Sequence, residues 1–314
     1  MNRNAQTRPH FSVIVPVYNA QDTIEATIAS IREQDDEDFE LILIDDGSTD
    51  DSLLRMLRQA GRDPRIRLVA QQNAGVSAAR NHGLQLASGR LMAFCDADDL
   101  WHPAKLAWHR AAHEADRTLA ISYARIAFLE ATAHDRPRSR TMSSVPRGDL
   151  TMQQIISENP VCTASNLVTT REAFDRIGAF DVGMDYAEDQ EWLARAVALG
   201  ERARGIDELL VGYRLSPGGL SVNLGAMYAG WRRVVELHAS DADSASAEAI
   251  YCRYLARRSL RSGNPPAEAR YYAMRGIALS PRAFLSDLKR GGSTLLAAIT
   301  APAIPMTLRQ RIFA

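Results

Sequence analysis

The chain has 314 residues, enough for one large core or for one core with a smaller appendage. Hydrophobic residues make up 46% and charged residues 24%, the ordinary balance of a soluble globular protein. With Lys+Arg 37 against Asp+Glu 38, the formal net charge is -1, so no field of one sign argues for a nucleic-acid partner. Three scattered cysteines, Cys95, Cys162 and Cys252, make neither a zinc spacing nor a disulfide framework and suit a reducing compartment. The opening MNRNAQTRPH lacks the apolar run of a signal peptide, and no uninterrupted apolar stretch is long enough to span a bilayer. A cytoplasmic location is the expectation.

In chain order, FSVIVPV (11–17) reads as a buried strand, because it is a short apolar run rich in β-branched residues. After Asp22 and Thr23 as cap candidates, Ile24, Ile28 and Ile31 fall at helical spacing. ELILIDD is a second strand broken by the turn residues DGSTDD, and Leu53, Leu54 and Leu57 with a closing Gly61 give another helix. IRLVA is a third strand, GVSAARNHGLQLASG a small-residue helix, and RLMAFCD a fourth strand. Pro103 suits the first residue of the helix that follows. This alternation predicts right-handed crossovers and an α/β fold, with a mostly parallel sheet and helices on both faces.

From about 130 to 150 the chain turns polar and reads as a long surface loop, in which Arg136, Arg138 and Arg140 are candidates for contacting an acidic acceptor. Past it come a helix over TMQQIISEN, the segment CTASNLVTT, and helices near REAFDRIG and EDQEWLARAVALG. ELLVGYRL is a later strand. After about 225 the pattern is wholly helical. Two regions are expected, a catalytic domain over 1–225 and a C-terminal helical region over 226–314. Near the end, STLLAAITAPAIPMTL is interrupted by Pro302 and Pro305 and flanked by Lys289, Arg290, Arg309 and Arg311. That stretch suits either a membrane surface or a helix docked on the core.

Ligands of such sheets bind beyond the carboxyl ends of the strands. Tyr18, Asp45–Asp46 and Asp96–Asp98 all follow strands and so share that edge. In DDGSTD (45–50), carboxylates followed by glycine can accept hydrogen bonds from a base or ribose while the backbone comes close. In DADD (96–99), carboxylates on alternate residues can face one hard cation, Mg²⁺ or Mn²⁺. NAGVSAARNHGL (73–84) offers Asn73, Gly75, a helix N-terminus and Arg80 to an anionic diphosphate. AEDQEW (187–192) opens a helix with carboxylates that can take a proton as a general base. Singly, each is also what a turn or a helix cap looks like, and Trp192 reads as a core residue.

Their combination and order discriminate. VIVPVYN, DDGSTD, NAGVSAARNHGL, DADD and SN…REAFDRIGAFD…AEDQEW together resemble the family 2 glycosyltransferases over roughly residues 10 to 220. The resemblance implies a GT-A fold and inverting transfer of a sugar from a nucleotide-diphospho-sugar donor with a divalent metal. It implies that Pro16 and Tyr18 lie near the base, that Asp45 hydrogen-bonds it, and that Asp46, Asn73, Gly75 and Arg80 lie close to the nucleotide. Asp96 and Asp98 match the metal motif, with Asp98 the direct ligand, and Asp99 would face the donor sugar. Asp189 matches the catalytic base, with Glu188 beside it. YRLSPGGLS (213–221) departs from the pattern, because Ser216 stands where such enzymes often have a histidine that contacts metal or diphosphate.

The acceptor implied is a glycan or a lipid-linked sugar of envelope polysaccharide synthesis, with the enzyme at the inner face of the membrane. Uridine, guanosine and thymidine donors stay open. Two other readings remain. A sugar nucleotidyltransferase would want a Gly-rich basic loop after the first strand, where this chain has VYNAQD. A degenerate nucleotide-sugar-binding module is the other, against which the intact acidic pairs stand. A dehydrogenase is disfavoured, since no GxGxxG follows the first strand.

Overall fold

A computed structural model of the chain describes residues 8–130, 142–215, 223–239, 243–262 and 264–304. The chain divides into two compact units, one of residues 1–150 and 161–215, the other of 151–160 and 216–314.

In the first unit, β1 (Phe11–Val17) is buried along its whole length. It lies between two parallel neighbours, β2 (Phe39–Asp45) and β4 (Leu91–Phe94), and β3 (Ile66–Ala70) adds on beyond β2. A continuous apolar run, and not an alternating one, is what a strand covered on both faces requires. The crossovers run through α1 (Ile24–Arg32), α2 (Ser52–Ala60) and α3 (Val76–Leu86). Helix α3 lies tight on β1, because Gly83 leaves no room for a side chain: a Cβ there would come within 2.5 Å of Ile14 Cγ2.

Pro16 sits in this central strand without cost to the ladder. Strand β4 pairs only with Phe11–Ile14, and the Cys95 N–H donates to the Ile14 carbonyl. Alternate residues of a strand face the same neighbour. Pro16 therefore faces that side just past the end of the pairing, where its missing N–H has no ladder partner to lose.

Four more strands complete an eight-stranded sheet in the order β3-β2-β1-β4-β7-β6-β8-β5. They are β5 (Leu100–Trp101), β6 (Ile121–Glu130), β7 (Val168–Thr170) and β8 (Ala203–Leu215). The β1–β4 half is parallel as expected. The other half is mixed, with β7 antiparallel to both β4 and β6, β5 antiparallel to β8, and β6 parallel to β8. Helix α4 (Lys105–Ala115) starts two residues later than Pro103 suggested, and α6 (Arg171–Ile177) and α7 (Glu188–Ala198) cover the sheet further along.

Several sequence expectations change here. ISYARIAFLE forms β6, to which the sequence reading assigned no strand, and β8 begins at Ala203, earlier than ELLVGYRL indicated. Of the expected loop, 131–141, with its arginines 136, 138 and 140, lies outside the described residues. Residues 142–150 do not simply loop. The Ser143 N–H donates to the Ile126 carbonyl, Asp149 bridges to Arg204, and the Asp149 carboxylate accepts from Arg202 and Arg204. Within the described part of that stretch, Asp149 is taken up by the sheet through Arg202 and Arg204.

The second unit is helical: α5 (Met152–Ser157), α8 (Leu224–His238), α9 (Ser244–Arg261), α10 (Pro266–Leu279), α11 (Pro281–Phe284) and α12 (Leu288–Thr300). Thr151 and Gln154 close a reciprocal capping box on α5. Trp231 stacks on Tyr251 with centroids 5.0 Å apart and donates its indole N–H to the Ile156 carbonyl. Among the described residues, no helix is long and apolar enough to cross a membrane.

Candidate functional site at the strand ends

The turns after β1, β2 and β4 emerge on one sheet edge and tie to one another. After β1, Tyr18 is 54% exposed, and Asn19 takes a left-handed conformation with φ 49. The Asn19 side-chain carbonyl accepts the Thr49 N–H at 2.8 Å, while the Ala20 N–H donates to Ser52 Oγ at 2.8 Å. The loop bearing Tyr18 is thus stitched to DDGSTD.

Within that second turn the two aspartates differ. Asp45 is buried, and its Oδ1 takes one long bond from the Ser48 N–H at 3.4 Å. Asp46 organises the next loop: Oδ1 accepts from Gln71 Nε2 (2.7 Å) and the Ala74 N–H (2.9 Å), and Oδ2 accepts from the Gly75 N–H (2.9 Å). Gly47, at φ +75, approaches the Asn73 backbone so closely that a Cβ would lie 2.9 Å from its nitrogen. Asn73 and Gly75 themselves are exposed.

Arg80 is the pivot of the site. It points inward from α3 with only 3% of its side chain exposed and divides its guanidinium between two acids. Nη2 donates to Asp96 Oδ1 at 2.6 Å and Nη1 to Glu188 Oε1 at 2.8 Å. Burial alone would disfavour its charge, but Asp96 and Glu188 more than offset this and hold it above the ordinary arginine range. The remaining oxygen of Asp96 accepts from Thr163 Oγ1 at 2.9 Å, and its own N–H donates to Ser165 Oγ at 2.8 Å.

The next residue on α3, Asn81, clamps the approach to α7. Its Nδ2 donates to the Phe180 carbonyl and its Oδ1 accepts the Phe180 N–H, both at 2.9 Å. Phe180 in turn stacks on the fully buried Trp192, which is core as the sequence suggested. Helix α7 begins from Ala187 in a left-handed conformation with φ 61, a strained state for a residue with a Cβ. From that start Glu188 and Asp189 enter the site. Asp189 keeps some solvent exposure, yet its carboxyl is pushed up to about 7, first by loss of water around it, then by Glu188, with Arg80 pulling the other way.

In the turn after β4, Asp96 and Asp98 are half-buried and Asp99 is fully buried. Asp99 Oδ1 accepts the Arg214 N–H at 3.1 Å, whereas its Oδ2 has no hydrogen-bond partner among the described residues. Burial, then Asp98 and Asp96, push the Asp99 carboxyl well above the usual range. Arg214 Nη1 donates to the Asp98 carbonyl at 2.8 Å, and Thr27 Oγ1 donates to the carbonyls of Ala97 and Asp99. The turn is therefore held from three sides. Arg214, Thr27, Thr163 and Ser165 were missed by sequence reasoning. The last two lie in CTASNLVTT, whose motif fragment SN was the available signal.

Behind the turn, Trp101 donates its indole N–H to the Ser165 carbonyl, and the buried Lys105 lies over its ring, 4.9 Å from the centroid. Lys105 Nζ contacts His109 Nε2 at 3.0 Å, and burial lowers it to about 7.

Among the described residues no cluster of three or more acidic, histidine or cysteine side chains forms a closed metal cage. An all-oxygen pair at Asp96 and Asp98 fits a hard cation that takes one or two carboxylates and fills its shell from phosphates. The orphaned Asp99 oxygen beside that pair is consistent with the fit. Ser216 lies outside the described residues.

A crossover sheet with acids and a buried arginine at its strand ends belongs to the open α/β class whose ligands bind at that edge. The model of glycosyl transferase family 2 matches residues 12–178, and the chain belongs to that family. It is 30% identical over 220 residues to the uncharacterized glycosyltransferase EpsJ of Bacillus subtilis, covering 68% of this chain and 63% of EpsJ. The matched segment thus spans less than two thirds of that relative's length. It is 28% identical over 218 residues to WfaP of Escherichia coli, a UDP-Glc:alpha-D-GlcNAc-diphosphoundecaprenol beta-1,3-glucosyltransferase, covering 68% of this chain and 80% of WfaP. Among solved structures, S. aureus TarS 1-349 in complex with UDP-GlcNAc shares the fold at a TM-score of 0.58 and 19% identity, over 93% of this chain and 92% of that one.

Proposed function

We propose that this protein is a glycosyltransferase that moves a sugar, with inversion, from a nucleotide-diphosphate donor to an acceptor hydroxyl in envelope polysaccharide synthesis. The observation that carries the reading is the buried Arg80 joining Asp96 of the strand-end turn to Glu188 of α7, which draws Asp189 to the same edge. A carboxyl near 7 is matched to accepting a proton at neutral pH. Asp189 takes the acceptor proton as the hydroxyl attacks the anomeric carbon, opposite the departing diphosphate. Tyr18, Pro16, Asp45 and the loop bearing Asn73 and Gly75, which Asp46 fixes through Gln71, Ala74 and Gly75, form the nucleotide side of the cleft. Asp99 faces the sugar.

Asp98, with Asp96, would hold a Mg²⁺ or Mn²⁺ ion, which when bound supplies neutralisation of the leaving diphosphate. Arg80 adds fixed positive charge to the same region. UDP is the expected nucleotide, because WfaP is named for a UDP donor and TarS was solved with UDP-GlcNAc. The acceptor class we favour is the lipid-linked diphosphate sugar named for WfaP. We assign catalysis to residues 1–225 and peripheral membrane association to 226–314, at the inner face of the membrane. Helix α12 supports the latter assignment, because Leu288, Leu296 and Ile299 are 73%, 65% and 53% exposed beside the basic Lys289 and Arg290.

The test begins with a thermal-shift panel of nucleotide-sugars with Mn²⁺, since a bound donor stabilises the folded state. With the donor found, Asp189→Asn is expected to lower turnover by about 10²- to 10⁴-fold, the usual share of a general base, while donor affinity stays near the parent's. Full turnover in this variant removes Asp189 from the mechanism.

A further inference from the structure

The turn after β3 holds a chain of short hydrogen bonds whose far end has no part in the transfer proposed above. Gln71 follows β3 directly, and its N–H donates to the Asp45 carbonyl at 2.9 Å. Its side chain lies between two partners. Nε2 donates to Asp46 Oδ1 at 2.7 Å, and Oε1 meets His82 Nδ1, on α3, at 2.7 Å. Asp46 carries the chain on into the loop, accepting the Ala74 N–H on Oδ1 and the Gly75 N–H on Oδ2, both at 2.9 Å. Gln71 and His82 are both half-buried.

The acid end of the chain determines where its protons lie. A carboxylate offers only lone pairs, so the Gln71 amide must turn its NH2 toward Asp46. The amide oxygen then faces His82, and a ring nitrogen opposite an oxygen must carry the hydrogen. His82 is therefore a donor through Nδ1–H, in its neutral and its charged form alike. Its Nε2 makes no hydrogen bond with any described residue. The imidazole thus selects one of the two faces of the amide. A reversed Gln71 would set its oxygen against Asp46 and withdraw one of the three donors that hold that carboxylate. Three successive residues of α3 so reach three parts of the site: Arg80 the acids, Asn81 the Phe180 backbone, and His82 the turn after β3.

We infer that His82 is a positioning residue for nucleotide binding, acting through Gln71 and Asp46 on the loop that bears Asn73 and Gly75. The inference rests on the donor reading given above, in which that loop forms the nucleotide side of the cleft. His82 acts at second hand, so what its loss should weaken is the hold on the nucleotide.

The test uses the shape of the ring. Asparagine places an amide nitrogen where histidine has Nδ1, whereas glutamine places one near Nε2. The full chain with Mn²⁺ is titrated by calorimetry with UDP, GDP and dTDP, beside His82→Asn, His82→Gln, Gln71→Leu and the double variant His82→Gln/Gln71→Leu. For the nucleotide that binds, Kd should rise about three- to tenfold in His82→Gln, the worth of one hydrogen bond, and stay within about twofold of the parent in His82→Asn. Gln71→Leu should match His82→Gln, and the double variant should lose no more than either alone, because both changes break one chain. Amide exchange at Ala74 and Gly75 should quicken in His82→Gln and not in His82→Asn. Unchanged affinity in His82→Gln, or equal losses in His82→Asn and His82→Gln, overturns the inference and leaves the donor reading standing. A parent chain that binds none of the three nucleotides removes the donor reading, and the inference with it. Gln71→Leu leaves α3 untouched, so it decides the matter should His82→Gln fail to fold: unchanged affinity there overturns the inference.

Discussion

The turns DDGSTD and DADD look alike in sequence, each a run of acids at the end of an apolar strand, yet they do different physical work. In the first, Asp46 is consumed by the protein's own donors, holding Gln71, Ala74 and Gly75. It builds a loop. In the second, Asp96 faces a buried cation that Glu188 shares, and Asp99 is left with an oxygen that no described residue satisfies. That turn is charged against itself and completes its interactions only through neighbours or a ligand. Acidic strand ends are thus not one feature: Asp46, satisfied largely by backbone amides, shapes a loop, whereas Asp96, divided between a buried arginine and Thr163, sits beside the unsatisfied oxygen of Asp99.

The largest effect that sharpens this contrast is expected at Arg80. Arg80→Met leaves Asp96 and Glu188 facing each other without their common cation, and stability should fall by about 3–5 kcal/mol, the usual cost of breaking a buried ion pair from one side. Denaturant midpoints check this, and a loss below about 1 kcal/mol would show that the pairing is merely a surface one. Adding Glu188→Gln to Arg80→Met should recover part of the loss, since one of the two stranded charges is removed.

Asp46→Ala should cost less, about 1–3 kcal/mol, because it strands partly buried amide donors but no buried ion. Amide exchange in residues 71–75 should rise with it. If exchange there is unchanged, Asp46 is not what orders the loop.

A smaller, pH-linked effect separates the site from the scaffold behind it. The Asp189 carboxyl is raised above its unfolded value of 3.8 to about 7, so the folded state holds a proton that the unfolded state has lost. Its contribution to stability is present at low pH and declines as pH rises from about 4 to about 7. Lys105 has the opposite sign: lowered from 10.5 to about 7, it is neutral when folded over a range where the unfolded chain binds the proton. Stability should therefore rise with pH between about 7 and 10.5. Melting curves of Asp189→Asn and Lys105→Met against the parent should each flatten one of these limbs and leave the other. Turnover should rise with pH through about 7 and follow Asp189 alone.

Much of the parallel half could be read directly, since FSVIVPV and ELILIDD are apolar without alternation and their turns carry Gly and Asp. The candidate acids could be named because five motifs occur in order. The residues that position them were not. Asn81 matters through Phe180, nearly a hundred residues away, and Arg214 through the backbone of the DADD turn. Such partners leave no periodic trace in a sequence. Strand β6 escaped because ISYARIAFLE gives way directly to a polar stretch, whose Asp149 meets its partners Arg202 and Arg204, some fifty residues on, only once the sheet has formed.

The sharing of Arg80 by two acids also constrains how such a chain can change over generations. Losing Glu188 or Asp96 alone leaves a guanidinium enclosed with half its partners, and losing Arg80 alone strands both acids. Descendants that abandon the chemistry should therefore drop the three positions together or keep all three. Where a related sequence has a neutral residue at one of these positions, neutral residues are expected at the other two.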